Sequence, residues 1–266
     1  MKVFVSSLIR DLSEMTSVAE WVDSLGHEDI GVELIAFTHL ESYWHTLCGL
    51  LKKLRCPVTF HGPFIGVEGT SAPGTQAHSW LMESYRRVFQ LARTHNVRHI
   101  VYHTTQLPFR PEQVKSACAL AEENLSGILA MAEEMGVSVL IENLSYPRMA
   151  DRVPLYTSTA YGSFFTRHPN ANSIIDIGHA HMNAMDLPGF LQQHGDRVKA
   201  YHFHNNDGEQ DMHSDIFSGT FSYNDFAPIY RQYTPNADIV LEYEPHVALD
   251  NKALHRQIAY VFSTFS

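Results

Sequence analysis

The spacing of apolar runs along the chain limits its fold more than any other feature of the sequence. Short runs of strand length recur at fairly regular intervals, and stretches with helical spacing separate them. The runs predicted to be strands are Val3–Ser6, Gly31–Ile35, Val58–His61, His99–His103, Ser138–Glu142, Ser173–Ile177, Lys199–His204 and Asp238–Glu242. Eight strand-then-helix units within 266 residues are typical of a closed (β/α)8 barrel, because that fold commonly takes about 250 residues.

The segments between these runs carry helix signals. The predicted helices include Ser13–Leu25, Gln76–His95, Pro111–Met135 and Leu187–His194. The main alternative fold, an open doubly wound sheet, would place a glycine-rich phosphate-binding turn after the first strand, where this chain has Ser6-Ser7-Leu8-Ile9-Arg10. We therefore expect the α/β class, as one TIM-barrel domain over residues 1–266.

The charge balance bears on the class of ligand. The chain has 19 Lys and Arg against 29 Asp and Glu, a formal net charge of −10. A protein that holds nucleic acid through its phosphates needs a basic surface, so the acidic balance favours a small-molecule substrate. It leaves a nucleic-acid substrate open, because bound divalent ions would cancel several charges locally.

Cysteine usage and apolar run lengths bear on the cellular compartment. The three cysteines are scattered without a Cys-x-x-Cys motif, which argues against a disulfide framework and favours a reducing compartment. No signal peptide is apparent at the N-terminus, and no apolar run approaches the roughly 20 residues of a membrane span. We expect a cytoplasmic protein with no membrane partner, and the sequence leaves a homo-oligomer open.

Side chains that bind metal ions recur at the ends of six consecutive predicted strands and in the loop after the seventh. They are His61, His103, Glu142, Asp176, His179, His202, His204, Asp211, His213 and Glu242. The carboxyl ends of barrel strands meet at one mouth, where several buried carboxylates would repel one another. Divalent cations supply the opposing charge, and a set of His, Asp and Glu without Cys suits Zn, Mn, Fe or Co. The sequence thus predicts a site for one to three divalent ions.

Single members of this set also have ordinary structural explanations. A His at the end of a strand often hydrogen-bonds within the wall of the barrel. Asp207 and Asp211 could be turn residues, since Asn-Asn-Asp-Gly is a strong turn signal. His202 and His204 share one face of their strand at different depths, so one of them, His202, could lie in the layer below a metal. Glu33, on the second strand, fits either a pocket floor or an internal ion pair.

The motifs of the sixth and seventh strands resemble those of a known superfamily. They read Asp176-Ile-Gly-His179-Ala180, then His204-Asn-Asn-Asp207-Gly208, then Asp211-Met-His213. With Glu142 and Glu242 they resemble the xylose isomerase-like TIM barrels, the superfamily of sugar phosphate isomerases and epimerases that also contains the endonuclease IV type of abasic-site nuclease. The resemblance covers nearly the whole chain, from Gly31-Val-Glu-Leu on the second strand to Glu242.

The ketose epimerases of this superfamily hold one divalent ion through a Glu, an Asp, a His and a Glu. The matching positions here are Glu142, Asp176, His204 and Glu242. The resemblance implies that the two glutamates also act as acid and base beside a sugar carbonyl, through an enediolate, while the ion polarises the oxygens. It further implies that the histidines His179, His61 and His103 contact a small sugar or sugar phosphate.

Two positions differ from the usual epimerase pattern. Those enzymes commonly carry an Arg six residues after the metal-binding His of the seventh strand, where this chain has Gln210. They also carry a Glu six residues after the Glu of the fifth strand, where this chain has Arg148.

The endonuclease IV type implies a different use of the same residues. That type binds three zinc ions, and its full ligand complement has counterparts here: His61, His103, Glu142, Asp176, His179, His204, Asp211, His213 and Glu242. Clustered metals suit phosphoester cleavage, because they activate a water and stabilise the attacking and leaving oxygens together. The alternative function is therefore a multinuclear zinc phosphoesterase acting on abasic DNA or a small phosphodiester, with Glu142 bridging two ions.

Overall fold

Eight parallel strands close into a barrel in chain order, with β1 paired to β8. This computed structural model describes residues 1–7, 11–105, 108–145, 153 and 155–266. The strands are β1 Val3–Ser7, β2 Ile30–Ile35, β3 Val58–His61, β4 Ile100–Tyr102, β5 Val139–Glu142, β6 Asn172–Asp176, β7 Val198–Phe203 and β8 Asp238–Tyr243. No predicted strand end is more than one residue from the observed one, and the predicted (β/α)8 TIM barrel is confirmed.

Helices surround the barrel. Their bounds are α1 Leu12–Ser24, α2 Glu41–Leu51, α3 Gln76–His95, α4 Val114–Met135, α5 Ser158–Arg167, α6 Ile177–Met182, α7 Leu187–His194, α8 Tyr223–Tyr233, α9 Pro245–Ala248 and α10 Asn251–Phe265. Two of them, α3 and α7, have the predicted bounds. The helix α4 starts later than predicted, because Pro111–Gln113 forms a separate short 3-10 turn before it.

Local chemistry explains where several helices begin and end. Asp11 caps α1, and its carboxylate accepts hydrogen bonds from the main-chain N–H groups of Ser13 and Glu14. Gly136 ends α4 with φ at 67°, in the left-handed region that glycine adopts without strain. Among the described residues, no helix is long and apolar enough to cross a membrane.

The barrel interior contains an apolar layer that forms the floor of the mouth. One buried residue from each of six strands contributes to it: Phe4, Val101, Leu140, Ile174, Ala200 and Val240. Successive side chains of a strand point to opposite faces, so residues two positions further on lie on the same side, one layer higher. On β5 to β8 those residues are Glu142, Asp176, His202 and Glu242. On these four strands the periodicity therefore places charged or titratable residues directly above apolar ones.

Candidate metal centre

The buried carboxylates of Glu142, Asp176 and Glu242 lie around one imidazole. The Nδ1 atom of His202 is 3.2 Å from Oε1 of Glu142, 3.6 Å from Oε2 of Glu242 and 3.8 Å from Oδ2 of Asp176. One possible ligand atom from each of these four residues lies within 4.8 Å of the others. This first group is compact enough for its oxygens to bind a single cation.

A second group lies beside the first, toward the β7–α8 loop. It consists of His179, His204, Asp211 and His213, again with ligand atoms within 4.8 Å of one another. Asp211 is its centre, because one oxygen is 3.1 Å from Nε2 of His179 and the other is 3.3 Å from Nε2 of His213. The rings of His204 and His213 stack at 3.9 Å.

His204 connects the two groups. Its Nε2 is 3.0 Å from Oδ1 of Asp176 in the first group and 3.8 Å from Oδ1 of Asp211 in the second. The two histidines of β7 and its end thus have different neighbours among the carboxylates. His202 stands nearest the glutamates, and His204 faces Asp176 from the other side.

The junction of β6 and α6 explains the spacing Asp176-x-x-His179. Asp176 is the N-cap of α6, and its Oδ1 accepts a hydrogen bond of 2.6 Å from the main-chain N–H of His179. The first helical turn then places Nδ1 of His179 3.6 Å from the same oxygen. Gly178 lies between them, and a Cβ atom there would come within 1.9 Å of the His204 ring. Only glycine leaves room for that imidazole.

The β7–α8 loop carries two aspartates whose roles the sequence left undecided, and the structure gives them different roles. Asp207 is a turn residue, since its carboxylate accepts hydrogen bonds from the main-chain N–H groups of Glu209 and Gln210, and Gly208 follows with φ at 84°. Asp211, four residues on, faces the histidines of the second group. An antiparallel bridge between Asn205 and Ser214 closes the loop that carries Asp211.

His61 and His103 lie near Glu142, with His61 at the carboxylate oxygen that His202 does not contact. The Nε2 atom of His61 is 3.6 Å from Oε2 of Glu142, and the rings of the two histidines are 5.9 Å apart. Phe64 packs against both rings, at 4.8 Å from His61 and 5.6 Å from His103. The two imidazoles and this aromatic ring form one wall of the mouth.

The structure brings together all nine residues that the resemblance implies as ligands. It also brings in two residues whose roles the sequence left open, His202 beside the glutamates and Glu33 beside His202. The spacing of two residues between His202 and His204 was the available signal for the first. Arg148 lies outside the described residues, and Gln210 is exposed with its main-chain N–H bonded to Asp207.

Comparisons with known proteins identify the family and the fold. The family model of the xylose isomerase-like TIM barrel matches residues 18–261. The chain belongs to this family. The match covers most of its length, so the resemblance seen in the strand-end motifs is confirmed at the level of the family.

Solved structures of other proteins share the fold over almost the whole chain. A D-tagatose 3-epimerase-like protein superposes with a TM-score of 0.77 at 20% identity, over 99% of this chain and 98% of that one. A Thermus thermophilus protein soaked with zinc chloride gives 0.73 at 18% identity, over 99% of both chains. The D-psicose 3-epimerase of Clostridium cellulolyticum H10, solved with D-tagatose, gives 0.71 at 16% identity, over 99% of this chain and 97% of that one. These identities show a common fold.

One curated relative also matches in sequence. An uncharacterized protein of Methanocaldococcus jannaschii is 27% identical over 154 residues. The match covers 54% of this chain and 55% of that protein, so it spans about half the length of each.

The electrostatics of the first group depend on its imidazoles. Burial disfavours the charged form of Glu142, but the contacts with His202 and His61 outweigh burial and hold its pKa well below the usual range. Burial likewise opposes protonation of His202, yet the carboxylates of Glu242, Glu33 and Glu142 raise its pKa well above the ordinary value. Protons on the imidazoles therefore neutralise carboxylates that a metal ion would neutralise in the same place.

The second group behaves in the same way. Burial raises the pKa of Asp211, but His179 and His213 more than reverse this and lower it overall. Burial opposes the protonation of His213, but Asp211 and Glu242 raise its pKa to about 9.

His103, beside His61, differs from these histidines. Burial lowers its pKa to about 4 and leaves the ring neutral, the form in which imidazole binds metals.

The residues fit a divalent metal ion on two counts. Among the described residues, the ion pairs of Lys and Arg all lie elsewhere, so no Lys or Arg side chain there offsets these carboxylates. Several buried acceptor atoms of the cluster also have no hydrogen-bond partner in the described structure: Oε2 of Glu142, Oε1 of Glu242, Nδ1 of His103 and Nδ1 of His204. Buried lone pairs of this kind are costly unless a proton donor or a cation faces them.

Proposed function

We propose that this protein is a divalent-metal-dependent enzyme that isomerises or epimerises a small sugar or sugar phosphate by proton transfer. The observation that carries this proposal is the pair of buried glutamates, Glu142 on β5 and Glu242 on β8. They come from strands three apart in the barrel, and both approach the same atom of His202, at 3.2 Å and 3.6 Å. Two carboxylates that face one small space can serve the two faces of one carbon atom.

In this proposal the glutamates act as acid and base. One removes the proton beside the sugar carbonyl, which gives an enediolate, and the other returns a proton to the same or the neighbouring carbon. Glu142, Asp176, His204 and Glu242 would hold the metal, which when bound supplies polarisation of the substrate oxygens. The histidines His61, His103 and His179 would bind the hydroxyl groups from the rim of the mouth.

Three findings support the substrate class. The family contains barrels named for xylose isomerase, and the D-psicose 3-epimerase with a similar fold was solved with a ketose bound. The cluster lies above a layer of six buried apolar residues, which would shield the reacting carbon from water on that side. The net charge of −10 favours a small substrate over a polyanion.

Hydrogen exchange tests this function. The purified protein is incubated in deuterated water with a panel of ketoses and ketose phosphates, each with Zn²⁺, Mn²⁺, Co²⁺ or Fe²⁺, and deuterium incorporation beside the carbonyl is measured by NMR. We expect exchange with at least one pair of sugar and metal, and a loss of roughly 10²–10⁴-fold in Glu142→Gln and Glu242→Gln. Glu123→Gln, on the exposed side of α4, is the matched control and should exchange like the wild type. Absence of exchange with every pair would refute the proposal.

A specific observation favours a second candidate, a multinuclear phosphoesterase. The group His179, Asp211 and His213 is as compact as the first group and has no place in a four-ligand epimerase site. In this alternative it would hold one further ion, while Glu142 would bridge the first ion to another held by His61 and His103. Abasic DNA or a small phosphodiester would be the substrate, with water activated between the ions.

Metal stoichiometry separates the two functions. Elemental analysis of the zinc-saturated protein, together with anomalous scattering from crystals, counts and places the ions. One ion at Glu142, Asp176, His204 and Glu242 supports the sugar enzyme. Two or three ions, together with cleavage of bis(p-nitrophenyl) phosphate or of an abasic oligonucleotide, support the phosphoesterase.

A further inference from the structure

Glu33 is a buried carboxylate that is not among the proposed metal ligands. It lies on β2 inside the barrel, is only 2% exposed, and is one of a small number of charged groups at that depth. Its Oε2 accepts a hydrogen bond of 3.3 Å from the hydroxyl of Thr59, and its Oε1 is 3.2 Å from Nε2 of His202. A carboxylate at such a site is costly unless it is paired, so its partner indicates its role.

That partner, His202, uses its two ring nitrogens in opposite directions. The Nε2 side faces down to Glu33, and the Nδ1 side faces up to Glu142 and Glu242. The 3.2 Å approach of Nε2 to Oε1 of Glu33 is an ion-pair contact without hydrogen-bond geometry, since neither atom has a hydrogen-bond partner in the described structure. Rotation of the ring would still move it away from at least one of the three carboxylates. The orientation of Nδ1 between the two glutamates thus depends on a residue one layer beneath them.

The contacts of His202 select one oxygen on each glutamate. It approaches Oε1 of Glu142 and Oε2 of Glu242. The other two oxygens, Oε2 of Glu142 and Oε1 of Glu242, are buried and have no hydrogen-bond partner among the described residues. Oε2 of Glu142 also lies 3.6 Å from Nε2 of His61, beyond hydrogen-bond distance, so both oxygens remain available to an ion or a substrate proton.

From this geometry we infer that Glu33 and His202 are a positioning pair, which orients the Glu142 and Glu242 carboxylates from below and does not itself bind the metal. The inference deepens the proposed function and rests on it for the consequence to catalysis. Groups that hydrogen-bond to metal ligands fix their orientation, and their loss commonly costs about 10–100-fold in metal affinity or activity.

Zinc affinity in graded variants tests the pair without any sugar. Affinity is measured by competition with a chromogenic chelator for the wild type, Glu33→Met, Glu33→Gln, His202→Leu and His202→Asn. We expect a loss of about 10–100-fold in Glu33→Met and His202→Leu. Glu33→Gln keeps an acceptor oxygen, and the amide nitrogen of His202→Asn falls close to the Nδ1 position, so both should recover most of the affinity.

The control is His99→Leu, which removes another buried imidazole from the same interior. Its ring packs edge-on against Phe4, and its Nε2 has no hydrogen-bond partner within the described structure. We expect wild-type zinc affinity in this variant. Circular dichroism and unfolding temperature in the presence of EDTA verify that each protein is folded before its affinity is compared.

Two outcomes would overturn the inference. The first is unchanged zinc affinity in both Glu33→Met and His202→Leu. The second is a coordination shell that loses one imidazole in His202→Leu, measured by X-ray absorption of the zinc protein, because His202 would then be a ligand.

The catalytic consequence has its own readout. If the sugar activity is found, Glu33→Met and His202→Leu at saturating zinc should lower kcat with KM little changed, since misaligned carboxylates act on the transition state more than on substrate binding. Glu33→Gln and His202→Asn should keep most of the activity. If no sugar exchanges, the proposed function fails while the affinity measurements still decide the role of the pair.

Discussion

Gly178 shows how one residue sets the spacing of the centre. It stands between the capping carboxylate of Asp176 and His179, and its missing side chain is the space into which the His204 ring fits. An added methyl group would meet ring atoms at 1.9–2.5 Å, well inside contact distance. In a helix alanine is otherwise favoured over glycine, so the close approach of His204 is the reason for a glycine here.

We predict that Gly178→Ala displaces His204 and weakens zinc binding by at least tenfold. Overpacking of this kind commonly costs about 1–3 kcal/mol, so the protein should still fold. Chelator competition measures the affinity, and circular dichroism measures the fold. Wild-type affinity in a folded Gly178→Ala protein would show that His204 is not part of the metal centre.

The burial of a second single residue, His99, leads to a prediction about how stability depends on pH. It is buried at the other end of the barrel interior, where burial lowers its pKa to about 4; His202 and Arg98 add to this effect, while Glu33 and Asp238 oppose it. In the unfolded chain its pKa is about 6.5, so between pH 6.5 and 4 the unfolded state binds more protons than the folded state. Its burial therefore costs stability as pH falls through that window.

We expect the wild type to lose more stability than His99→Leu between pH 7 and pH 4, by up to about 3 kcal/mol. Urea unfolding of both proteins at several pH values measures the difference. Comparing the two proteins removes the contributions of the other histidines. Parallel curves would contradict the low pKa of His99.

At the scale of elements, α4 carries two glycines with opposite roles. Gly127 lies within the helix, where a Cβ would meet only the terminal methyl of Met82, at 3.4 Å. Gly136 ends the helix with φ at 67°, where any other residue is strained. Glycine thus lowers the stability of the helix at position 127, whereas the left-handed backbone conformation at position 136 requires it.

We predict that Gly127→Ala stabilises the protein by about 0.5–1 kcal/mol, because alanine loses less backbone entropy in a helix. Gly136→Ala should destabilise it by a similar amount or more. Thermal unfolding in EDTA measures both changes. Equal shifts of the same sign in the two variants would contradict the structural distinction between the two positions.

At the scale of the molecule, the barrel concentrates negative charge at one mouth. Glu142, Asp176, Asp211 and Glu242 reach it from three strands and a loop, in a chain whose net charge is already −10. Without a cation these groups depend on protonated imidazoles for compensation. A divalent ion should therefore stabilise the whole fold.

We expect zinc at 100 times its dissociation constant to raise the free energy of unfolding by about 2.7 kcal/mol per site. Differential scanning calorimetry with and without zinc, followed by EDTA, measures the shift and its reversal. Asp176→Asn is the control in which most of the shift should disappear. An unfolding temperature that zinc does not change would argue against any metal centre in this mouth.

Much of the architecture was predictable because its signals are local. Apolar runs alternating with helical spacing determined eight strands to within a residue, and Asp11, Gly136 and the Asp176-x-x-His179 spacing act within a turn of helix. Closure of the barrel then follows from the number of strand-and-helix units. Placing ionisable residues at strand ends was likewise enough to predict that they meet.

Only the tertiary structure decided how the residues at those strand ends pair. Asp207 and Asp211 are alike in sequence, yet Asp207 bonds within its own turn while Asp211 lies beside the histidines. His202 and His204 share a strand face, but the stagger of the barrel sets His202 above Glu33 of a distant strand and His204 beside Asp176. Such pairings depend on depth and strand register around a closed barrel, and periodicity within one strand carries no information about either. The sequence alone thus determined which residues lie at the strand ends as candidate ligands. Only the fold determined that they form two adjoining groups and that the buried pair Glu33 and His202 lies beneath the glutamates.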